Sequence, residues 1–545
     1  MLRGLDGSTG AAVRLSAVLV IALLAVSSLP YVYGWYSSPS DLVFTGLMFD
    51  VPDHAQYWSW IVASRASLFI SNTMTPEPNP AIFTSPIMWL LARVQMAFSL
   101  SFPTLFQWWR TGAIALLVPA LVAFIRVMLP ERERRPLALA LSIFAAGFGW
   151  FWVVVKQLTG AADVPYPNDL YTLEPNTFWA LLSYPHLLLA HGLILTTVLG
   201  AWLAHQGKGW WAYVLGAAAA TALSVSHAYD LITVYTVLGL FGLAEWWRGR
   251  RFPTRLAVAG IAIAACSAPL ALYYQQLTSR DPLWQSILGQ YSNAGVWTPP
   301  HFHLIVLMGL PLILAALGIA DRNGWSGERR LLTIWACAGL VLIYLPVVYQ
   351  IKLLSGWQFP IAILATHGWY ERVAPAFKWR WLRTCATLAL VMVVSLTNVY
   401  LFAWRFVDLR RHSAPYYVHR DELDALGWLA GHASASDVVL APPNIGQFVP
   451  NYGKTRSYLA HWAMTNRYFE RRANVERFFG PDPGVDWRRQ LMHTEGVTFV
   501  LKSDWSDPPT NASAYDFVSS PDLERVFARP RAEIYRIRDH ARSQR

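Results

Sequence analysis

Long apolar runs separated by short polar connectors fill the chain up to about residue 404. Runs near 17–33, 104–128, 137–156, 179–203, 211–227, 230–247, 256–274, 303–320, 331–348, 357–370 and 384–404 predict eleven membrane-crossing helices. The reason is length: about 20 apolar residues are needed to cross the hydrocarbon layer. Residues 84–100 are nearly as apolar but contain Arg93. They predict a helix lying in the interface, because a crossing there would invert every later one. From about residue 405 the long apolar runs stop and charge rises. The stretch 421–430 has helical spacing and 465–479 reads as a second helix, while 437–441, 497–501 and 533–537 read as short strands. The expected fold class is a polytopic α-helical membrane protein with a C-terminal α/β domain. The division falls into 1–404, with a first outer loop at 35–103, and a soluble, extracytoplasmic 405–545.

Charge sets the orientation. Glu131-Arg-Glu-Arg-Arg135, Lys208, Arg248, Arg250, Arg251, Arg255, Arg322, Arg329, Arg330, Arg372, Lys378, Arg380 and Arg383 fall in one set of connectors. The other set offers only Arg65, Arg93, Lys156, Arg280 and Lys352, with Arg110 just inside a run. Basic short loops stay in the cytoplasm. The N-terminus is therefore expected inside, and an odd number of crossings puts the C-terminal domain outside. Arg3 and Arg14 precede the first run, which reads as a retained helix because it lacks a clean small-x-small cleavage site. Composition agrees: 54% of the 545 residues are hydrophobic and 14% charged, against about 25% charged in soluble domains. The net charge of +11 is accounted for by the cytoplasmic connectors, so it does not point to nucleic acid. Cys266, Cys337 and Cys385 all lie inside predicted crossings and read as small packing residues.

Candidate chemistry starts with 47–58, Leu-Met-Phe-Asp-Val-Pro-Asp-His-Ala-Gln-Tyr-Trp. A carboxylate here can take the proton of a sugar hydroxyl as it attacks an anomeric carbon. Asp53 is the first choice for that base and Asp50 the second, with His54 and Tyr57 beside them. Asp53 also suits the N-cap of the following helix, and the two roles are compatible. Asp169, Glu174, His186, His227, Asp230 and Lys352 are expected on the same outer face, where ionisable groups near lipid are functional candidates by default. Within Ser226-His-Ala-Tyr-Asp230, His227 and Asp230 can hold an acceptor sugar or a metal, or form a tight turn whose Asp caps a helix. Glu174-Pro-Asn-Thr-Phe-Trp179 leads into Tyr184-Pro-His186, where Pro185 should kink a helix. His186 then borders a pocket or packs in the core. A departing phosphate needs a cation, for which Lys352 and Arg280 are preferred over Arg110 and Arg93, although each can instead snorkel to headgroups. A divalent ion is left open, since His227 and Asp230 alone are too few ligands. The stretch 452–461 is the part of the C-terminal domain expected to meet the site. No Gly-rich loop with a Lys-Ser/Thr ending, zinc spacing or Gly-x-Ser-x-Gly elbow is present.

One leading helix, an outer loop with an acid shortly after it, many further crossings and an outer C-terminal domain resemble the GT-C class of membrane glycosyltransferases. More narrowly, Phe49-Asp-Val-Pro-Asp53…Tyr57, Thr75-Pro-Glu-Pro78, Glu174-Pro-Asn-Thr-Phe178…Pro185-His186 and His227-Ala-Tyr-Asp230 resemble a group of bacterial multi-pass proteins. The resemblance implies an inverting transfer from a polyprenyl-phosphate sugar to a lipid, glycan or protein acceptor at the outer face of a bacterial plasma membrane. It implies an essential acid in the first outer loop, which falls on Asp53 and then Asp50. The chain carries Asp-Val-Pro-Asp there, not the adjacent acid pair of some members. The competing expectations are a transporter or flippase of lipid-linked glycans, which needs polar or charged residues at mid-membrane in which these runs are poor, and a non-enzymatic assembly or sensor protein working through its C-terminal domain.

Overall fold

A computed structural model describes residues 7–161, 166–290, 297–320, 325–480, 484–504 and 516–538. Asp163 and Arg322 lie outside the described residues. The chain forms two compact units. The first comprises the described residues of Met1–Leu29, Trp108–Tyr274 and Asn293–Arg405. The second comprises those of Pro30–Gln107, Gln275–Ser292 and Phe406–Arg545.

The first unit is helical, and each apolar run in it falls on helix. Among the described residues of the chain, Gly10–Tyr36, Phe102–Met128, Pro185–His205 and Thr254–Arg280 are long and apolar enough to cross a membrane. Two bent pairs also qualify if each counts as one crossing: Arg132–Phe144 with Gly149–Thr159, bent by 49°, and Arg380–Val394 with Leu396–Arg410, bent by 46°. The remaining runs correspond to shorter or broken helices. The 303–320 run is split at Gly309, whose φ of 63° ends His303–Met308 before Leu310–Ile319 begins. The 179–203 run is not one kinked helix. Tyr184 separates Thr177–Ser183 from Pro185–His205, and Pro185 takes a first-turn position where its missing N–H costs nothing.

The two bends repair one another. Ala146 N–H donates to Val394 C=O at 2.9 Å, and Phe148 N–H to Val306 C=O at 2.8 Å. The Asn398 amide donates to Phe144 C=O at 2.9 Å, Thr397 Oγ1 to Gly147 C=O at 2.9 Å, and Trp150 N–H to Thr397 Oγ1 at 3.1 Å. Backbone groups released by breaking a helix in an apolar setting must find such partners.

The second unit is built on a five-stranded mixed sheet. Its order is Arg456–Ser457, Val438–Leu440, Phe499–Ser503, Ala532–Ile537, Leu523–Arg529. The first three strands are parallel and the last two pair antiparallel. The strands Val438–Leu440, Phe499–Ser503 and Ala532–Ile537 and the helices Arg420–His432 and Tyr468–Phe478 fall where the apolar pattern places them, whereas the strands Arg456–Ser457 and Leu523–Arg529 and the helix Val485–Thr494 are additions to it. Val438, Leu440, Tyr458, Val475, Phe478 and Tyr535 form its core.

The loop after the leading helix packs with this sheet unit, which differs from a division at residue 404. Leu42–Phe44 pairs antiparallel with Tyr417–His419. Ser457 N–H donates to Thr73 C=O at 3.1 Å. The Pro-rich segment is pinned by a buried cation: Arg471, 1% exposed, bonds Glu77 through two nitrogens at 3.1 and 2.8 Å and Glu495 at 3.0 Å. Burial works against the Glu77 charge, but hydrogen bonds from Thr75, Arg471 and Asn466 outweigh it and hold the carboxyl below its usual range. The helix Pro86–Phe98 has 13 residues, about 20 Å at 1.5 Å per residue, too short to cross. Its Arg93 donates to the carbonyls of Ser64 and Arg65 at 2.7 and 2.6 Å, at the C-terminal end of Val51–Ala63 where a cation is favoured.

Arg471→Met should leave two carboxylates without their shared cation, a loss of about 3 kcal/mol for a broken buried pair. The expected readouts are a lower thermal midpoint of the full chain in detergent and faster proteolysis within 73–80.

Candidate functional site

The second unit positions the acidic segment. Val51–Ala63 starts with Pro52 in its first turn, and Asp50 is its N-cap residue at φ 42°, ψ 57°. Asp is one of the few residue types that tolerate this left-handed geometry. The cap position thus belongs to Asp50, not to Asp53, and the Asp50 side chain makes no capping hydrogen bond. Asp53 stands in the first helical turn, where the helix dipole favours a carboxylate. Its Oδ1 accepts a hydrogen bond of 2.8 Å from His461 Nε2. His461 is 1% exposed, and its Nδ1 accepts the Ala463 N–H at 3.1 Å. That backbone donor fixes the lone pair on Nδ1, so the ring proton sits on Nε2 and points at Asp53. The Asp53 side chain keeps 22% exposure. His54, by contrast, is 1% exposed. Its Nδ1 donates to the Asp50 carbonyl at 2.9 Å, and its ring packs edge-on against Phe106 and Tyr57. His54 is thus a packing residue by environment, and the half-buried Tyr57 also contacts Trp60.

The first unit brings together Glu174, His186, His227, Asp230 and Lys352. His227 lies in the break between Trp210–Ser226 and Asp230–Gly249. Asp230 opens the second helix without capping it. Its Oδ2 instead accepts from His227 Nδ1 at 2.7 Å and from Ser355 Oγ at 3.3 Å. Tyr229 Oη hydrogen-bonds His227 Nε2, which completes a Tyr–His–Asp chain. Asp230 is 1% exposed, and its Oδ1 has no partner among the described residues. The Tyr229 ring stacks on Tyr349 at 5.6 Å, next to the turn Gln350–Leu354 that carries Lys352. Lys352 Nζ lies 3.0 Å from Glu174 Oε1. The Glu174 carbonyl accepts from His191 Nε2 at 3.0 Å, and the His186 ring sits 5.8 Å from that of His227. Lys352 is one-third exposed while Glu174 is buried, so the pair presents positive charge outwards.

Other candidates part company. Arg280 ends Thr254–Arg280 as an exposed residue of the second unit. Arg110 is 1% exposed and bonds Ser27 and Ser28. A divalent ion needs several converging donors, and among the described residues no three His, Cys, Asp or Glu side chains converge on one point. The residues present do not make such a site. His461 and Tyr229 escaped the sequence reading. His461 closes the 452–461 stretch, but nothing in the sequence joins it to a residue 408 positions away.

No protein-family model matches the sequence, and no curated protein matches it. In structure the chain is similar to the Archaeoglobus fulgidus oligosaccharyltransferase in its apo form, with a TM-score of 0.53 and 11% identity over 91% of this chain and 72% of that one. It is also similar to that enzyme tethered with an acceptor peptide, with a TM-score of 0.51 and 12% identity over 90% and 71%. A third match is ArnT from Cupriavidus metallidurans bound to undecaprenyl phosphate, with a TM-score of 0.50 and 14% identity over 95% and 97%. Identities this low carry the fold alone: the chain has the GT-C fold of membrane glycosyltransferases.

Lys352→Met should strand the buried Glu174 carboxylate and lower the thermal midpoint, since an unpaired buried charge costs about 3 kcal/mol or more. The double variant with Glu174→Gln should recover most of that loss, and a double-mutant cycle in detergent measures the recovery.

Proposed function

We propose that the chain is an inverting glycosyltransferase that moves a sugar from a polyprenyl-phosphate donor to an acceptor at the outer membrane face. One observation carries the reading: in a chain of GT-C fold, the loop after the leading helix holds a partly exposed carboxylate, Asp53, oriented by a buried histidine of fixed tautomer. A lipid-phosphate donor is an analogy from ArnT and its bound undecaprenyl phosphate, and a fold alone does not specify a substrate.

In this mechanism Asp53 accepts the proton of the acceptor hydroxyl as its oxygen attacks the anomeric carbon. The bond from that carbon to the phosphate oxygen breaks on the opposite face, and the phosphate leaves with the electron pair. His461 is a positioning residue: its Nε2–H fixes the carboxylate that receives the proton. Within the first unit taken by itself, Lys352, held by Glu174, is a cation suited to a phosphate, and His227, Asp230 and Tyr229 are groups suited to sugar hydroxyls. The extracytoplasmic position of the sheet unit belongs to the same proposal.

Asp53→Asn should lower kcat by roughly 100-fold or more, as for loss of a general base, in membranes supplied with donor lipid, while the protein still inserts. Lys352→Met should raise KM for the donor more than it lowers kcat. His461→Ala should lower kcat, with partial rescue by His461→Gln, which keeps an N–H donor. Full activity in Asp53→Asn removes Asp53 from the mechanism.

A further inference from the structure

Beside the break between Arg135–Phe144 and Gly149–Thr159, the first unit holds a cavity of about 20 Å³. Asp169, Thr172, Asn176 and Gln358 supply its polar lining, and Leu307 and Ile361 are among its apolar walls. The Asp169 carboxylate is pressed against bare backbone. A Cβ on Gly149 would lie 2.6 Å from both of its oxygens, and one on Gly147 would lie 2.7 Å from Oδ2. Oδ2 accepts the Gly149 N–H at 2.6 Å and lies 3.3 Å from the Thr397 hydroxyl, whose one proton it shares with Gly147 C=O. Oδ1 is buried with no partner among the described residues, and so are Thr172 Oγ1 and Gln358 Oε1. The amide nitrogen of Gln358 is already used by Thr177 Oγ1 at 3.1 Å. The Asn176 amide is satisfied by the Trp179 N–H and by Asn398. Three oxygens are left, on residues no more than 6% exposed.

No basic side chain among the described residues bridges to Asp169, although every other carboxylate buried to this degree in the first unit has a Lys or His partner. Burial pushes the Asp169 carboxyl up to about 7 despite the hydrogen bonds from Gly149 and Thr397.

We propose that this cavity binds one monovalent cation of about the size of sodium, held by Asp169 Oδ1, Thr172 Oγ1 and Gln358 Oε1. Oxygen donors alone select a hard cation, and a single carboxylate balances a single charge. A divalent ion would call for more anionic ligands. The volume takes one or two particles the size of water. The helix Arg135–Phe144 ends at the cavity, with Leu141 and Ala145 in the lining, and a helix C-terminus adds partial negative charge. Interrupted helices hold small cations in this way in other membrane proteins. A single water could donate to Asp169 Oδ1 and Gln358 Oε1 and accept from the Thr172 hydroxyl, but unlike a cation it brings no charge to balance the buried carboxylate. The cation ties the 168–176 segment, which carries Glu174, to the helix Gln358–Gly368. This inference does not depend on the proposed transferase reaction.

The test is thermal unfolding of the full chain in detergent at pH 8, followed by tryptophan fluorescence. Sodium chloride replaces choline chloride at constant ionic strength. The midpoint should rise by several degrees and saturate with sodium, because a ligand bound only to the folded state stabilises it by mass action. Asp169→Asn should abolish the response. If that variant fails to fold, Thr172→Val carries the test and should need several-fold more sodium for the same rise. Equal wild-type midpoints in sodium and choline would overturn the proposal and leave the cavity to water. A response unchanged in Asp169→Asn or in Thr172→Val would overturn it equally.

Discussion

A peptide group taken out of water has to be hydrogen-bonded, and in an apolar layer only helix or a buried partner can do it. Two of the helix breaks in the first unit, near residues 145–148 and at Ser395, meet that demand together, each lending the other donors and acceptors. Val394 and Phe144 supply carbonyls, Ala146 supplies an N–H, and the side chains of Thr397 and Asn398 close the remainder. The same economy operates where helices come close. A Cβ on Gly200 would meet Gly216 N at 2.5 Å, and one on Gly368 would meet Leu314 O at 1.9 Å. Small residues at these crossings let backbones approach where no hydrophobic force draws helices together.

Buried charge obeys a parallel rule, and the differences between carboxylates separate structural from chemical roles. Glu77 is locked by Arg471, which is itself buried. Such a pair anchors a segment and offers a ligand nothing. Glu174 is buried but its Lys352 partner is one-third exposed, so the pair is a fixed acid presenting an accessible cation. Asp53 reverses this: its histidine is sealed while the carboxylate stays partly open.

Apolar periodicity made the helical regions legible because burial in lipid or protein demands the same residues. It could not reveal where a helix breaks within an apolar run. Gly309 divides a run that reads as continuous, since the break is a backbone event with no polarity signature, whereas Pro185 signalled a kink where the structure has a full break at Tyr184. Short helices such as Gln358–Gly368 also read like crossings, because composition does not encode length in space. Three C-terminal strands and two helices were legible because short apolar runs and helical spacing bounded by polar residues are local signals, whereas Leu523–Arg529 and Val485–Thr494 carried none that was read. What stayed hidden was pairing over distance. The 42–44 strand meets 417–419, and Asp53 meets His461, by contacts that span most of the chain. Asp53 looked equally suited to a helix cap because both roles need a short acid before a helix. The left-handed backbone at Asp50 moved the cap by three residues.

Two of the histidine–carboxylate pairs, His461–Asp53 and His227–Asp230, involve candidate site residues, and geometry discriminates between them as proton acceptors. A general base must come within hydrogen-bond reach of a substrate hydroxyl. Asp230 is 1% exposed and already accepts from His227 and Ser355 through Oδ2. The outward group of its chain is the Tyr229 hydroxyl, better suited to binding than to deprotonating a sugar, because a phenol holds its proton at neutral pH. Asp53 keeps 22% of its side chain exposed, and its histidine cannot compete for the substrate proton at Nε2, which is already protonated. In the proposed mechanism the base is therefore Asp53, the carboxylate of these two pairs that is both oriented and reachable.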